Sequence, residues 1–165
     1  MIKRKMMAID PSLTSTGVAI FSTAVADGVP ELLSVHSIET KYAEDSSRAW
    51  KLYFIAQQLE ELKEKYHPEI IVYESGFSRF IKATQALYQV QGIMLVVFRD
   101  IPMISYAPSS VKKSVAGKGN VKKEVVRDII ARRYPLIEFR NMDETDAIAV
   151  GLHHLEVDSV EGYLR

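Results

Sequence analysis

The apolar positions of this chain come in two rhythms. Short runs at Lys5–Asp10, Gly17–Thr23, Glu31–Glu39, Glu69–Glu74 and Met103–Ala107 each predict a strand. The first, "KMMAID", alternates poorly, which suits a central strand buried on both faces. Gly17–Thr23 follows closely enough to be its antiparallel partner. "ADGVP" (Ala26–Pro30) predicts the next turn, because Asp-Gly stands beside a proline. Elsewhere the period lengthens. Leu52, Ile55, Leu59 and Leu62 recur at steps of three and four, the buried stripe of a helix capped by Ser46 or Ser47. That helix runs to about Tyr66, where His67-Pro68 ends it. Further helices are predicted over about Lys82–Phe98, over a short segment opened by Pro108-Ser109-Ser110, over about Val121–Tyr134, and over Asp143–Glu156. "GKGN" (Gly117–Asn120) breaks the second of these from the third.

Three strands in succession, then strands alternating with helices, predict an antiparallel meander continued by parallel strands through helical crossovers. The simplest packing is an α/β fold, a mixed five-stranded sheet flanked by helices. No repeat, low-complexity tract or linker divides the 165 residues, so one domain over residues 1–165 is expected. Asp10 and Glu74 then stand at the carboxyl ends of neighbouring strands, where open α/β sheets place their ligands.

Composition changes this picture in three respects. There are no cysteines, which excludes disulfides and thiolate metal ligands and fits a reducing compartment. The longest apolar stretch, "IMLVVF" (Ile93–Phe98), is too short to span a bilayer, and Asp10 cuts the N-terminal run short of a signal peptide. A cytoplasmic protein without membrane contact is expected. The formal net charge of zero hides an asymmetry. From Ser109 to Arg133 there are eight Lys/Arg against two acids, a local charge of +6 that leaves −6 for the remainder. Such a lobe suggests a polyanion partner, whereas a mixed solvated helix face is the plainer account.

The candidate chemistry lies in four carboxylates. Asp10 and Glu74 end strands, and "MDETDAIAV" puts Asp143 and Asp146 on one helical face. Glu144 points away from that face and is left out. Converging anions are unfavourable unless cations neutralise them. Oxygen donors without Cys or clustered His select hard cations, Mg²⁺ first and Mn²⁺ as a substitute. Two such ions about 4 Å apart stabilise the attacking and leaving oxygens in phosphodiester cleavage. Each acid alone has an ordinary reading: Asp10 opening a turn before Pro11, Glu74 as a surface strand end, Asp143 with Asp146 as cap and first-turn partner. Their joint placement favours a site. His153 and His154 are read as ordinary residues two turns further on.

Four segments carry a resemblance. "AIDPSLTSTGVAIF", "VYESGF", "VKKSVAGKGNVKKEVV" and "DETDAIAV" occur in the order and spacing of the RuvC-type Holliday junction resolvases, within the RNase H-like superfamily. The resemblance spans about Met6 to His154; Thr23–Ser46 and the tail after His154 match less closely. It implies that Asp10, Glu74, Asp143 and Asp146 bind two metal ions, and that Phe77 inserts at the junction point. Lys112 and Lys123 would contact DNA or assist catalysis. It also implies a homodimer that nicks two strands of a four-way junction symmetrically. In-line attack by a metal-held water, with the 3′-oxygen leaving, would give 5′-phosphates. Read directly, Phe77 beside Arg79 in "ESGFSRF" is an aromatic able to stack on an unpaired base, or simply to pack on the core. Gly117 and Gly119 would let the backbone approach phosphates, with Lys112, Lys113, Lys118, Lys122 and Lys123 supplying charge. Two other functions fit parts of the pattern: a ribonuclease for RNA–DNA hybrids with the same acids, and an actin-like ATPase or sugar kinase using "DPSLTSTG" as a phosphate loop.

Overall fold

A computed structural model describes residues 4–26, 29–76 and 78–163. Strands β1 (Lys5–Asp10), β2 (Ser15–Ala26), β3 (Val29–Glu39), β4 (Ile70–Glu74) and β5 (Met103–Tyr106) form one sheet in the order β3-β2-β1-β4-β5. The β1–β2 and β2–β3 pairs are antiparallel; β1–β4 and β4–β5 are parallel. Helices α1 (Arg48–Tyr66), α2 (Ile81–Val97), α3 (Pro108–Ala116), α4 (Lys123–Arg133) and α5 (Met142–Tyr163) cover it. The mixed, helix-flanked sheet is the α/β architecture expected from the pattern.

Parity along β1 explains its unbroken apolar run. Met6 and Ala8 point to the face covered by α3, α4 and α5, where they meet Phe21, Val72, Ile130 and Ile148. Met7 and Ile9 point to the opposite face and pack with Ile55, Leu59, Met94 and Phe98 of α1, α2 and its end. All four β1 residues are fully buried, as a central strand under two helical layers requires.

Local chemistry sets most boundaries. Ser47 caps α1 by accepting from the Trp50 N–H, and His67 closes the helix in the left-handed region (φ 48°) before Pro68. Pro108 opens α3, and Gly117 (φ 76°) ends it. Leu52 is only half-buried, so the α1 stripe narrows to Ile55, Leu59 and Leu62.

Several boundaries differ from the pattern, three of them by more than two residues or at the basic helix. The expected turn at Ala26–Pro30 is shorter, because Ala26 pairs with Val29 and Val25 with Pro30; Asp27 and Gly28 lie outside the described residues. Pro30 is tolerated there because β3 is an edge strand. Helix α4 starts at Lys123 rather than Val121, with Lys122 as its extended N-cap. Helix α5 continues to Tyr163, beyond Glu156, since no proline stops it.

Candidate active site

Asp10 is the last residue of β1 and shares the α5 face with Met6 and Ala8; Glu74 ends β4 on the face of Val72. Asp10 pairs with Gly17 of β2, and Gly17 with Ser37 of β3, so the three form one row across the sheet. The start of α5 lies on that row. A Cβ on Gly17 would fall 1.9 Å from the Asp143 carbonyl oxygen, so only glycine admits the helix this close. Asp143 and Asp146, three apart on α5, turn toward Asp10, and one oxygen from each of the three lies within 4.8 Å of the others. Hard oxygen donors crowded in this way fit a divalent cation.

Glu74 lies outside that 4.8 Å set, although among the neighbouring charges it raises the Asp10 carboxyl most. It lines an adjoining cleft with Lys112, Lys123 and Asp146, over Val111, Val126 and Ala149. The Lys123 ammonium pairs with Asp146 Oδ2 in that cleft, which sets a cation within the acidic group.

The electrostatics record the conflict. Burial pushes the Asp10 carboxyl well above the usual carboxylate range, and Glu74, Asp146 and Asp143 push it further while Lys123 opposes them. Burial also raises Glu74, with the Asp146 charge adding and Lys123 and Lys112 subtracting. Burial disfavours the Lys123 ammonium, but its hydrogen bond and charge pairing with Asp146, with Asp10 and Asp143 behind, hold its pKa above the ordinary value.

The Ser/Thr segment after Asp10 is committed to its own turn. Thr16 Oγ1 donates to the Ser12 carbonyl (2.7 Å) and accepts from the Ser12 N–H (3.1 Å); the Thr14 N–H donates to Ser12 Oγ (3.3 Å). Thr40 Oγ1 donates to the Leu13 carbonyl (2.8 Å) and ties the turn to the end of β3. These hydroxyls shape the strand exit.

Lys112 is half-buried at the cleft, while Lys113, Lys118, Lys122 and Arg79 are exposed. Phe77 lies outside the described residues. The two glycines of the basic turn have structural reasons of their own. Gly117 supplies the left-handed end of α3, and a Cβ on Gly119 would come 3.0 Å from the Ser109 carbonyl oxygen. Neither His153 nor His154 reaches the acids' cluster. His154 Nδ1 bonds the Tyr106 hydroxyl (2.7 Å), and His153 packs edge-on against the same ring.

Sequence reading gave Asn141 and Ser37 no role and set Glu144 aside. Asn141, not Asp143, caps α5: its Oδ1 accepts from the Glu144 N–H (3.1 Å). Glu144 does point away from the acids, but it is fully buried and accepts from the Ser37 hydroxyl (3.0 Å) and the Arg140 N–H (2.8 Å). The signal was present, because Asn-x-x-Glu before an apolar run has the spacing of a capping box, although Glu144 here accepts from the residue before the cap.

Among the described residues no helix is long and apolar enough to cross a membrane. Comparison with known proteins is consistent across sequence and structure. A family model described as crossover junction endodeoxyribonuclease RuvC matches residues 6–154. A Rhizobium johnstonii protein of that description is 32% identical over 153 residues, covering 91% of this chain and 88% of the relative. A Synechococcus protein of the same description is 29% identical, over 90% and 96%. Thermus thermophilus RuvC in complex with Holliday junction substrate shares the fold with a TM-score of 0.82 over 96% of each chain at 23% identity. The Fowlpox virus resolvase, solved with substrate Holliday junction DNA, has a TM-score of 0.62 over 93% of this chain and 97% of its own, at 12% identity.

Proposed function

This chain belongs to the RuvC family of crossover junction endodeoxyribonucleases, and from that premise we propose that it is a structure-selective endonuclease cutting four-way DNA junctions by symmetric nicks that leave 5′-phosphates. The observation that carries the reading is the meeting of Asp10, Asp143 and Asp146 within 4.8 Å at the carboxyl edge of the sheet. Asp10, Glu74, Asp143 and Asp146 would hold two Mg²⁺ ions, with Mn²⁺ as a substitute. When bound, such ions supply Lewis acidity to the attacking water and the leaving 3′-oxygen.

The remaining roles fall to this chain's cations and aromatics. Lys123 keeps its proton on Nζ and offers an ammonium to a phosphate entering beside Asp146. Lys112, Lys113, Lys118 and Lys122 hold the sugar–phosphate backbone, a contact that orients DNA without reading sequence. Arg79 steadies the strand near Phe77, which stacks on a base unpaired at the branch, a contact worth about 1–3 kcal/mol. All 165 residues act as one nuclease domain working on DNA in the cytoplasm. Two copies act together, each nicking one strand. The apolar side chains Ile81, Tyr88 and Leu95, seven apart along α2 and more than half exposed, support an interface on that helix.

Labelled four-way junction, flap, linear duplex and RNA–DNA hybrid, incubated with Mg²⁺ beside an Asp146→Asn control, test the reading. Paired nicks in the junction, absent from duplex and lost in the variant, are the expected result. Cleavage of the hybrid alone moves the activity to RNA–DNA hybrids. No cleavage of any substrate refutes the nuclease reading.

A further inference from the structure

We propose that Glu144 is a positioning residue, whose buried carboxylate locks the first turn of α5 to β3 and so sets the distance of Asp143 and Asp146 from Asp10. The inference rests on the metal-binding reading of those acids. Glu144 is fully buried, and a buried carboxylate is costly unless its oxygens are satisfied. Here both are. One oxygen accepts from the Ser37 hydroxyl at 3.0 Å, the other from the Arg140 N–H at 2.8 Å. The Arg140 guanidinium lies 3.7 Å away on the outer side.

A helix start alone does not need this. Asn141 already caps α5 through the Glu144 N–H, so the cap would survive a shorter side chain at 144. What the carboxylate adds is a second attachment to the sheet, beside that of the cap itself. Ser37 also accepts from Asn141 Nδ2 (2.8 Å), so cap and carboxylate close on one hydroxyl of β3. Ser37 belongs to the row that contains Gly17 and Asp10. The helix is therefore held at two neighbouring places on that row: pressed on Gly17 through the Asp143 backbone, and bonded to Ser37 through Glu144 and Asn141. Pressing alone leaves the first turn free to roll about the contact. The bond at Ser37 removes that freedom, and rolling is the motion that would carry Asp143 and Asp146 away from Asp10. Groups bonded directly to metal ligands are typically worth about 10–100-fold in metal affinity, and a lock acting through the helix is expected at the lower end of that range.

The test is Mn²⁺ affinity, measured by electron paramagnetic resonance of free Mn²⁺ well below the melting temperature. Glu144→Ala should bind Mn²⁺ about tenfold more weakly or worse. Glu144→Gln should return to near the wild-type value, because its carbonyl can accept from Arg140 while its amide donates to Ser37. Ser37→Ala, which removes both bonds to β3, should weaken binding at least as much as Glu144→Ala. A folded Glu144→Ala protein that binds Mn²⁺ like wild type overturns the proposal. So does a Glu144→Gln protein as weak as Glu144→Ala, which would assign the effect to charge rather than to the lock. If Glu144→Ala does not fold, Ser37→Ala decides, and wild-type affinity there overturns the proposal. Asp146→Asn separates the two levels: if it too binds Mn²⁺ normally, the metal-site reading itself fails.

Discussion

Asp10 concentrates the cost of the site in one side chain. Its pKa is raised by burial first and by three neighbouring acids after that, so in the metal-free protein its ionised form is held against both. A folded-state pKa above the unfolded value means that, between the two, the folded protein carries the extra proton and stability falls as pH rises. Asparagine removes this dependence. Metal-free Asp10→Asn should melt higher than metal-free wild type at neutral pH, by about 2–4 °C for each kcal/mol relieved. The difference should shrink as pH falls toward the ordinary carboxylate range. His36 and His153, both lowered chiefly by burial, titrate in the two proteins alike and drop out of the comparison. Equal melting temperatures at every pH would contradict the electrostatic account. Added Mg²⁺ should stabilise wild type and not the variant, since ligands that bind only the folded state raise its melting point.

At the scale of elements, placement of the acids depends on how closely α5 meets β2. Gly17 faces backbone of α5, which cannot yield as a side chain can. Gly17→Ala should therefore lose about 1–3 kcal/mol by overpacking and also lose nicking activity in the folded fraction, read by urea midpoint and junction cleavage. Gly151 is the contrast. A Cβ there would come 2.3 Å from the Phe21 ring, one turn beyond the acids and inside the core. Gly151→Ala should cost stability while the folded protein keeps nicking. Helix α4 is anchored at its other end from Lys123, where the buried Tyr134 hydroxyl donates to the Pro30 carbonyl (3.0 Å) and burial pushes its pKa up to about 12. Tyr134→Phe leaves that carbonyl without its donor. It should cost about 1–3 kcal/mol in urea denaturation, with cleavage little changed while the protein is folded. Helices α1 and α3 were legible in sequence through their caps, proline and apolar spacing. The start of α4 was not, because Val121 and Lys122 continue a helical pattern that the extended backbone at Lys122 interrupts.

For the whole molecule, the opposed charges of the Ser109–Arg133 lobe and the remainder matter more than their zero sum. Phosphate contacts release counterions, so each lysine that binds backbone contributes to the salt slope. Lys118→Gln, an exposed change far from the core, should reduce the slope of log affinity against log salt for junction DNA by about one. An unchanged slope would remove Lys118 from the interface. The exposed α2 stripe predicts the oligomer. Leu95→Glu puts a charge among side chains that would face a second copy, and light scattering should then show a monomer that nicks one strand of a junction without its partner nick. A dimer of normal size would exclude α2 as the interface.

The sequence by itself determined the strands, the helices, the two-sided burial of β1 and the identity of the candidate acids. All of these follow from relations between near neighbours: alternation along a strand, three- and four-residue steps along a helix, a carboxylate where a strand stops. The division of Glu74 from the three clustered acids, the Lys123 ammonium on Asp146, the need for glycine at position 17 and the bond from Ser37 to Glu144 were decided only by the tertiary structure. Ser37 and Glu144 stand 107 residues apart. Periodicity is blind to such pairs, because their distance is set by how α5 settles on the row of Asp10, Gly17 and Ser37, and that depends on the packing of the whole helical layer against the sheet.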